Sequence, residues 1–261
     1  KRLKRLNVTE QDINLNDKMP EVEIEYISSA ITKDTVMEVK VSCSDEEGLS
    51  SLHILVDGVP LHGSAGTKIS GKSHESTLKI PLKRGINEIE AFVNNTSQVG
   101  SLRQSILVKC AQKVEKPNLY FIGIGASKYA DTTFNLEYAS KDILDVSKLI
   151  NKSKAFDKVH QKIILDEKVR ADSLFEIEDF LKSAGINDVV ILYFAGHGVL
   201  NQDLDYFLGA YDMNFAQPDQ GGLSYDGVEE MLMACRSRSK LIFLDACHSG
   251  EIDKESVKTS T

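Results

Sequence analysis

Two residues of this chain could together carry out acyl transfer: Cys247, in Asp245-Ala246-Cys247-His248-Ser249-Gly250, and His197, in Gly196-His197-Gly198. A free thiol with a pKa of about 8.5 is mostly protonated at neutral pH. A nearby imidazole can activate it or relay its proton to a leaving amine. The tetrahedral intermediate then needs donors for its oxyanion. Glycines beside His197 let backbone N–H groups approach a carbonyl closely, so the N–H of Gly198 and that of Cys247 are assigned as these donors. His248 adjoins the nucleophile, but neighbours at a strand end point apart, which gives it a supporting role. Cys235, without such a motif, reads as a buried structural thiol.

Both candidates follow apolar runs. Residues 188–195 lead into Gly196-His197-Gly198, and residues 240–244 lead into the cysteine motif. Residues 119–124 form another continuous apolar run of the kind buried on both faces of a parallel sheet. Between these runs the period is helical. Ile143, Val146 and Ile150 share a face with Leu144 and Leu149 close by, and Asp172 is placed to cap a helix carrying Leu174, Ile177 and Leu181 that stops before Gly185. A strand is expected over 159–165, a hairpin around 206–211, and a short helix over 228–235 that Ser224 could cap. Repeated β-α-β crossovers put helices on both faces of one parallel sheet, with ligands beyond the carboxyl ends of its strands. That rule brings His197 and Cys247 to one edge although 50 positions separate them.

The first part of the chain has a different rhythm. Short alternating segments at 22–27, 36–41, 52–56, 78–82, 86–93 and 106–108 are half-buried strands. Turn signals separate them at Asp57-Gly58, Gly63 with Gly66, Arg84-Gly85 and Asn94-Asn95. This predicts an all-β sandwich over 21–112, preceded by a polar linker or the end of another segment at 1–20. Its stretches 45–49 and 81–87 resemble those of bacterial immunoglobulin-like domains. The sandwich shows no catalytic constellation and reads as a spacer or recognition module. Residues 113–117 form a linker, and 118–261 the α/β domain.

Composition narrows the function. The chain carries 31 Lys and Arg against 39 Asp and Glu, and the net charge of −8 belongs wholly to the part after residue 116. An acidic surface disfavours nucleic acid as a partner. There is neither an apolar stretch of spanning length nor a secretory signal, so a membrane is not expected. Four scattered cysteines without Cys-x-x-Cys spacing suit reduced thiols in a cytoplasm, although Cys43 and Cys110 could pair within the sandwich core.

The His197 and Cys247 motifs, with Ile122-Gly123-Ile124, residues 136–142 and residues 206–212, resemble the caspase-like cysteine peptidases, closest to metacaspases and their bacterial relatives. The interval of about 50 residues between histidine and cysteine is a stated feature of caspase signatures. The resemblance implies a cysteine endopeptidase with a Cys247–His197 dyad. Where animal caspases have glutamine two residues before the nucleophile, this chain has Asp245, and Asp142 matches the acidic pocket residue of metacaspases. Two carboxylates repel an aspartyl side chain and suit arginine or lysine at P1, the residue preceding the cleaved bond. Asp142 also reads as a solvated carboxylate favoured in a helix's first turn. Some metacaspases require calcium, and Asp203, Asp205, Asp212, Asp219 and Asp226 are dense enough to suggest it although they match no EF-hand loop; calcium activation is kept as an alternative, and no metal or other cofactor is assigned. Zinc at Cys247 and His248 lacks further ligands. The chain starts at Lys1, not methionine, which suits a piece of a longer protein. The family fold continues beyond the nucleophile strand, so a second subunit is expected, released by cleavage within 251–261, for example after Lys254 or Lys258. The rival reading is a catalytically silent caspase-like scaffold that binds a partner through the sandwich.

Overall fold

The computed structural model describes residues 19–27, 29–113 and 115–246. It divides into two compact units at the 113/114 junction. The first unit holds β1 (Glu21–Tyr26), β2 (Ile31–Thr32), β3 (Val36–Ser44), β4 (Leu49–Val56), β5 (Val59–Pro60), β6 (Thr67–Lys68), β7 (Ser73–Pro81), β8 (Gly85–Asn95) and β9 (Gln104–Cys110). They form a sheet β1-β3-β7 and a sheet β2-β9-β8-β4-β5, with β6 also paired to β4. Alternation decides which side chains go inside: Met37, Val39, Val41 and Cys43 of β3 are buried, while Glu38 and Lys40 between them face out. Residues from both sheets, among them Val39, Val41, Ile54, Val56, Ile89, Ala91 and Val108, share one core, consistent with the expected sandwich. Glu21, Glu23 and Glu25 on the edge strand β1 oppose pairing with another chain.

Two expectations for this unit are corrected. Asn94-Asn95 is not a turn but the end of β8, where Asn95 is fully buried and its Oδ1 accepts the N–H groups of Ser97 and Val99. Cys43 and Cys110 are both buried but free. The Cys43 thiol donates to the carbonyl of His74 and the Cys110 thiol to that of Asp34.

The second unit comprises β10 (Leu119–Gly125), α1 (Ala139–Asn151), β11 (Val159–Leu165), α2 (Ser173–Leu181), β12 (Val189–Ala195), β13 (Gly198–Leu200), β14 (Tyr206–Leu208), β15 (Leu223–Ser224), α3 (Tyr225–Ala234) and β16 (Ser239–Asp245). The sheet runs β11-β10-β12-β16, with every pairing parallel. Every residue of β10 is buried, as a strand covered on both faces requires. On one face Ile122, Ile124, Val190, Leu192 and Phe194 pack with Ile177 and Leu181 of α2 and Val228, Met231 and Leu232 of α3. On the other, Ile143 and Ala139 of α1 meet Ala195. Glycine is needed beneath α1, because a Cβ at Gly125 would lie 2.9 Å from the Cα of Ser140 and 3.1 Å from the carbonyl oxygen of Ala139.

The helices depart from the expected pattern in detail. The buried line of α1 is Ala139, Ile143 and Ser147; Val146 and Ile150 are half-buried, and Leu144 and Leu149 are exposed. Asp172 occupies the N-cap position of α2 but accepts no capping bond, since its backbone is already helical. The neighbouring Ser173 ties the turn instead, its Oγ accepting the Arg170 N–H at 3.0 Å and donating to the Lys168 carbonyl at 3.0 Å. Ser224 does cap α3, accepting the Gly227 N–H at 3.3 Å. The hairpin pairs β13 with β14, so it begins immediately after His197 and ends at Leu208, not at residue 211. Among the described residues no helix is long and apolar enough to cross a membrane.

The close approach of α1 generates a prediction. Gly125→Ala forces the start of α1 off the sheet and lowers stability by about 1–3 kcal/mol, the usual cost of overpacking. The midpoint of denaturant unfolding reads this directly, and an unchanged or higher midpoint would contradict the packing described.

Candidate active site

Parallel register sets the level of the site. Gly125 of β10, Ala195 of β12 and Asp245 of β16 lie abreast at the carboxyl ends of their strands. A hydrogen bond joins two of these ends, the Gly196 N–H donating to the Asp245 carbonyl at 3.1 Å. His197 follows Ala195 by two residues, and Cys247 follows Asp245 by two. Cys247 and His248 lie outside the described residues.

His197 is half-buried and held from two directions. Its backbone N–H donates to the Tyr129 hydroxyl at 3.2 Å, and its ring Nε2 lies 2.8 Å from the Phe134 carbonyl oxygen. A carbonyl only accepts, so Nε2 carries the proton, which leaves Nδ1 of a neutral ring as the acceptor. The rings of Phe134 and Phe215 stack at 3.7 Å, and both present a T-shaped contact to the imidazole. Burial, opposed by the bond from the His197 N–H and reinforced by the Asp166 carboxylate, pushes Tyr129 up to about 12. The Tyr129 hydroxyl therefore stays neutral through the physiological range. Gly198 is buried with the Tyr206 hydroxyl packed against its Cα, where any Cβ would overlap that oxygen. The glycine thus has a packing reason besides the one expected from oxyanion binding.

Asp142 sits in the first turn of α1, half-buried, with its N–H bonded to the Tyr138 carbonyl. Asp245 is exposed at the end of β16. The two are linked through Tyr193, a β12 residue whose hydroxyl makes a long contact of 3.5 Å to Asp245 Oδ2. Burial first, then the charges of Asp245 and Asp142, raise the Tyr193 hydroxyl above the usual tyrosine range. A groove of about 500 Å³ lined by Phe121, Val146, Ile150, Ile191, Tyr193 and Phe243 reaches Asp245.

Sequence reasoning missed Tyr129, the Phe134 carbonyl and Tyr193. A backbone carbonyl leaves no trace in residue type, and Tyr129 lies in a polar loop. Tyr193 was visible only as a hydroxyl in an otherwise apolar strand. Within the acidic string, Asp212 pairs with Arg170 and Asp205 with Asn201. Among the described residues no group of three or more His, Cys, Asp or Glu side chains converges as a metal ion would require.

A parallel α/β sheet with a histidine framed at its carboxyl edge defines the class, and the family model of the caspase domain matches residues 122–261, more than half the chain. The chain belongs to the caspase-domain family, peptidase C14, whose members point to cysteine peptidase activity. No curated protein matches it. Among solved structures, a structural-genomics protein from Geobacter sulfurreducens is 18% identical over 54% of this chain and 54% of its own, with a TM-score of 0.42. The chain thus spans about half the length of that structure. A PKD domain of an M14-like peptidase from a Thermoplasmatales archaeon is 14% identical over 36% of this chain and 94% of its own, with a TM-score of 0.30. At these levels of likeness the family match alone identifies the chain.

If both carboxylates act on Tyr193, then Asp142→Asn and Asp245→Asn will each lower its pKa, because a nearby negative charge disfavours the phenolate. Tyrosinate absorbance over an alkaline titration, with Tyr193→Phe to assign the signal, measures the shift. No movement in Asp142→Asn would separate Asp142 from the pocket.

Proposed function

We propose that the chain is a cysteine endopeptidase in which Cys247 is the nucleophile and His197 the proton carrier, cleaving after Arg or Lys. One observation carries the reading: the register that sets Ala195 level with Asp245, from which the two reactive residues are each two positions onward. In the proposed reaction, Nδ1 of His197 takes the thiol proton as sulfur attacks the scissile carbonyl. The N–H groups of Gly198 and Cys247 hold the oxyanion. Collapse breaks the C–N bond, the imidazolium gives its proton to the leaving amine, and water hydrolyses the thioester. No metal or other cofactor takes part in these steps.

The basic P1 preference rests on the two carboxylates that act on Tyr193. The apolar groove offers a wall to the methylenes of a long basic side chain, and Asp245 lies at its end. A guanidinium can be held bidentately there, whereas an aspartyl P1 side chain is repelled. The remaining expectations belong to the same proposal: an immunoglobulin-like spacer or recognition unit in front, a second subunit completing the sheet, proteolytic processing that yields it, and a cytoplasmic setting. The scaffold reading becomes the outcome if no turnover is found.

Arg- and Lys-terminated fluorogenic peptides test the reading. Turnover should vanish in Cys247→Ala and fall about 10²–10⁴-fold in kcat in His197→Ala, the usual contribution of a positioned proton carrier. Equal turnover by Cys247→Ala would remove that residue from the mechanism. Asp245→Asn should lower kcat/KM for arginyl peptides about tenfold or more, as the loss of a charged hydrogen bond does. Faster cleavage of aspartyl than arginyl peptides would end the acidic-pocket argument.

A further inference from the structure

The loop that frames His197 has its two ends fastened to one oxygen atom. Asp166, immediately after β11, adopts a left-handed backbone with φ of 53°, a conformation few side chains other than Asn and Asp tolerate. This turns its carboxylate toward the carboxyl edge of β10. Its Oδ1 accepts the N–H of Ser127 at 3.0 Å, the N–H of Lys128 at 3.2 Å and the Ser140 hydroxyl at 2.6 Å. Ser127 and Lys128 begin the loop, and Ser140 lies at the start of α1 where the loop ends. The two ends also bond each other, the Ser127 Oγ accepting the Ser140 N–H at 2.8 Å and the Ser127 carbonyl accepting the Leu136 N–H at 2.8 Å.

Between these ends lie both groups that hold His197, the Tyr129 hydroxyl and the Phe134 carbonyl. Just beyond them lies Asp142, in the turn that Ser140 opens. Inside the loop, Asn135 Oδ1 accepts the Tyr129 N–H at 2.8 Å, so the two holding groups share one rigid piece. An ionised acceptor makes stronger bonds than a neutral one, and here one charge serves three donors.

We propose that Asp166 is a positioning residue for the reaction: its carboxylate closes the 127–140 loop, and that closure fixes the Nε2–H form of His197 and the placement of Asp142. Asp166 touches neither substrate nor the reacting atoms; it acts through the loop. The proposal deepens the peptidase reading and rests on it for its kinetic consequence, but the histidine geometry it predicts can be observed without turnover.

The test compares the full 261-residue chain with Asp166→Ala, Asp166→Asn and Ser140→Ala. Long-range proton–nitrogen NMR of the imidazoles, with His197→Gln to assign the signal, reads which ring nitrogen is protonated. Arginyl-peptide kinetics supply kcat and KM separately. In Asp166→Ala the Nε2–H pattern should give way to mixed tautomers, kcat should fall about tenfold or more, and KM for arginyl peptide should rise. Asp166→Asn, which keeps an acceptor of the same shape, should recover much of both. Ser140→Ala, which removes one donor of three, should lie between wild type and Asp166→Ala, and it decides the matter if Asp166→Ala does not fold. An unchanged His197 pattern in Asp166→Ala, or in Ser140→Ala where Asp166→Ala does not fold, overturns the proposal, as does an unchanged kcat in that variant beside an active wild type. An inactive wild type overturns only the peptidase reading, and the NMR pattern still decides whether Asp166 positions His197.

Discussion

The site depends first on strand register. Parallel pairing fixes each residue of one strand against a set partner on the next, and here it sets Gly125, Ala195 and Asp245 side by side. A slip of one residue would turn every following side chain to the opposite face. That slip is opposed by the core: Val190, Leu192 and Phe194 point to the face covered by α2 and α3, while Ile191 and Tyr193 point to the other. Burial of one alternating set therefore also aims Tyr193 toward the face where α1 supplies Asp142. The energy that holds the fold and the geometry that places the acidic residues have the same source.

The second constraint is how closely α1 can lie on the sheet. Helices usually rest on side chains, but over Gly123 and Gly125 the helix descends until Ile143 fills the space that Cβ atoms would take. The descent brings the first turn of α1 down to the strand ends. A larger residue in β10 would lift that turn and carry Asp142 away from Tyr193 without altering any residue of the pocket. Packing at the bottom of the helix thus bears on where Asp142 stands at its top, through rigid displacement alone.

The strands of the second unit were legible because continuous apolar runs bounded by turn residues leave few alternatives, and β11 and β12 fall within a residue of where those runs place them. Helix details were less so. Asp172 has the right residue type and position for a cap, yet its backbone is already helical, so the capping geometry is not available to it. The line Ile143, Val146, Ile150 follows helical spacing, but the buried line is Ala139, Ile143, Ser147, because Ala139 and Ile143 lie on the glycines of β10 and the Ser147 hydroxyl donates to Gln161 of β11. In the site, His197, Asp142 and Asp245 could be named from their motifs. The groups that orient them could not, since a backbone carbonyl, a loop tyrosine and a turn aspartate acquire their roles only from the fold.

The proton inventory at His197 links these observations to direction in the chemistry. With Nε2 donating to the Phe134 carbonyl, a neutral ring has one lone pair left, on Nδ1. After that atom takes a proton, the same carbonyl faces an imidazolium, and its partial negative charge stabilises the cation more than it does the neutral ring. A carbonyl cannot accept the proton away, so the imidazolium must release it from Nδ1, the atom through which it arrived. In the proposed reaction the orienting group would thus favour formation of the charged intermediate and confine uptake and release to one nitrogen. A carboxylate in its place would stabilise the imidazolium more strongly and hold the proton longer, making the ring a better base and a poorer acid; for the proposed thiol nucleophile, more acidic than a hydroxyl, a neutral carbonyl would set a compromise between the two roles.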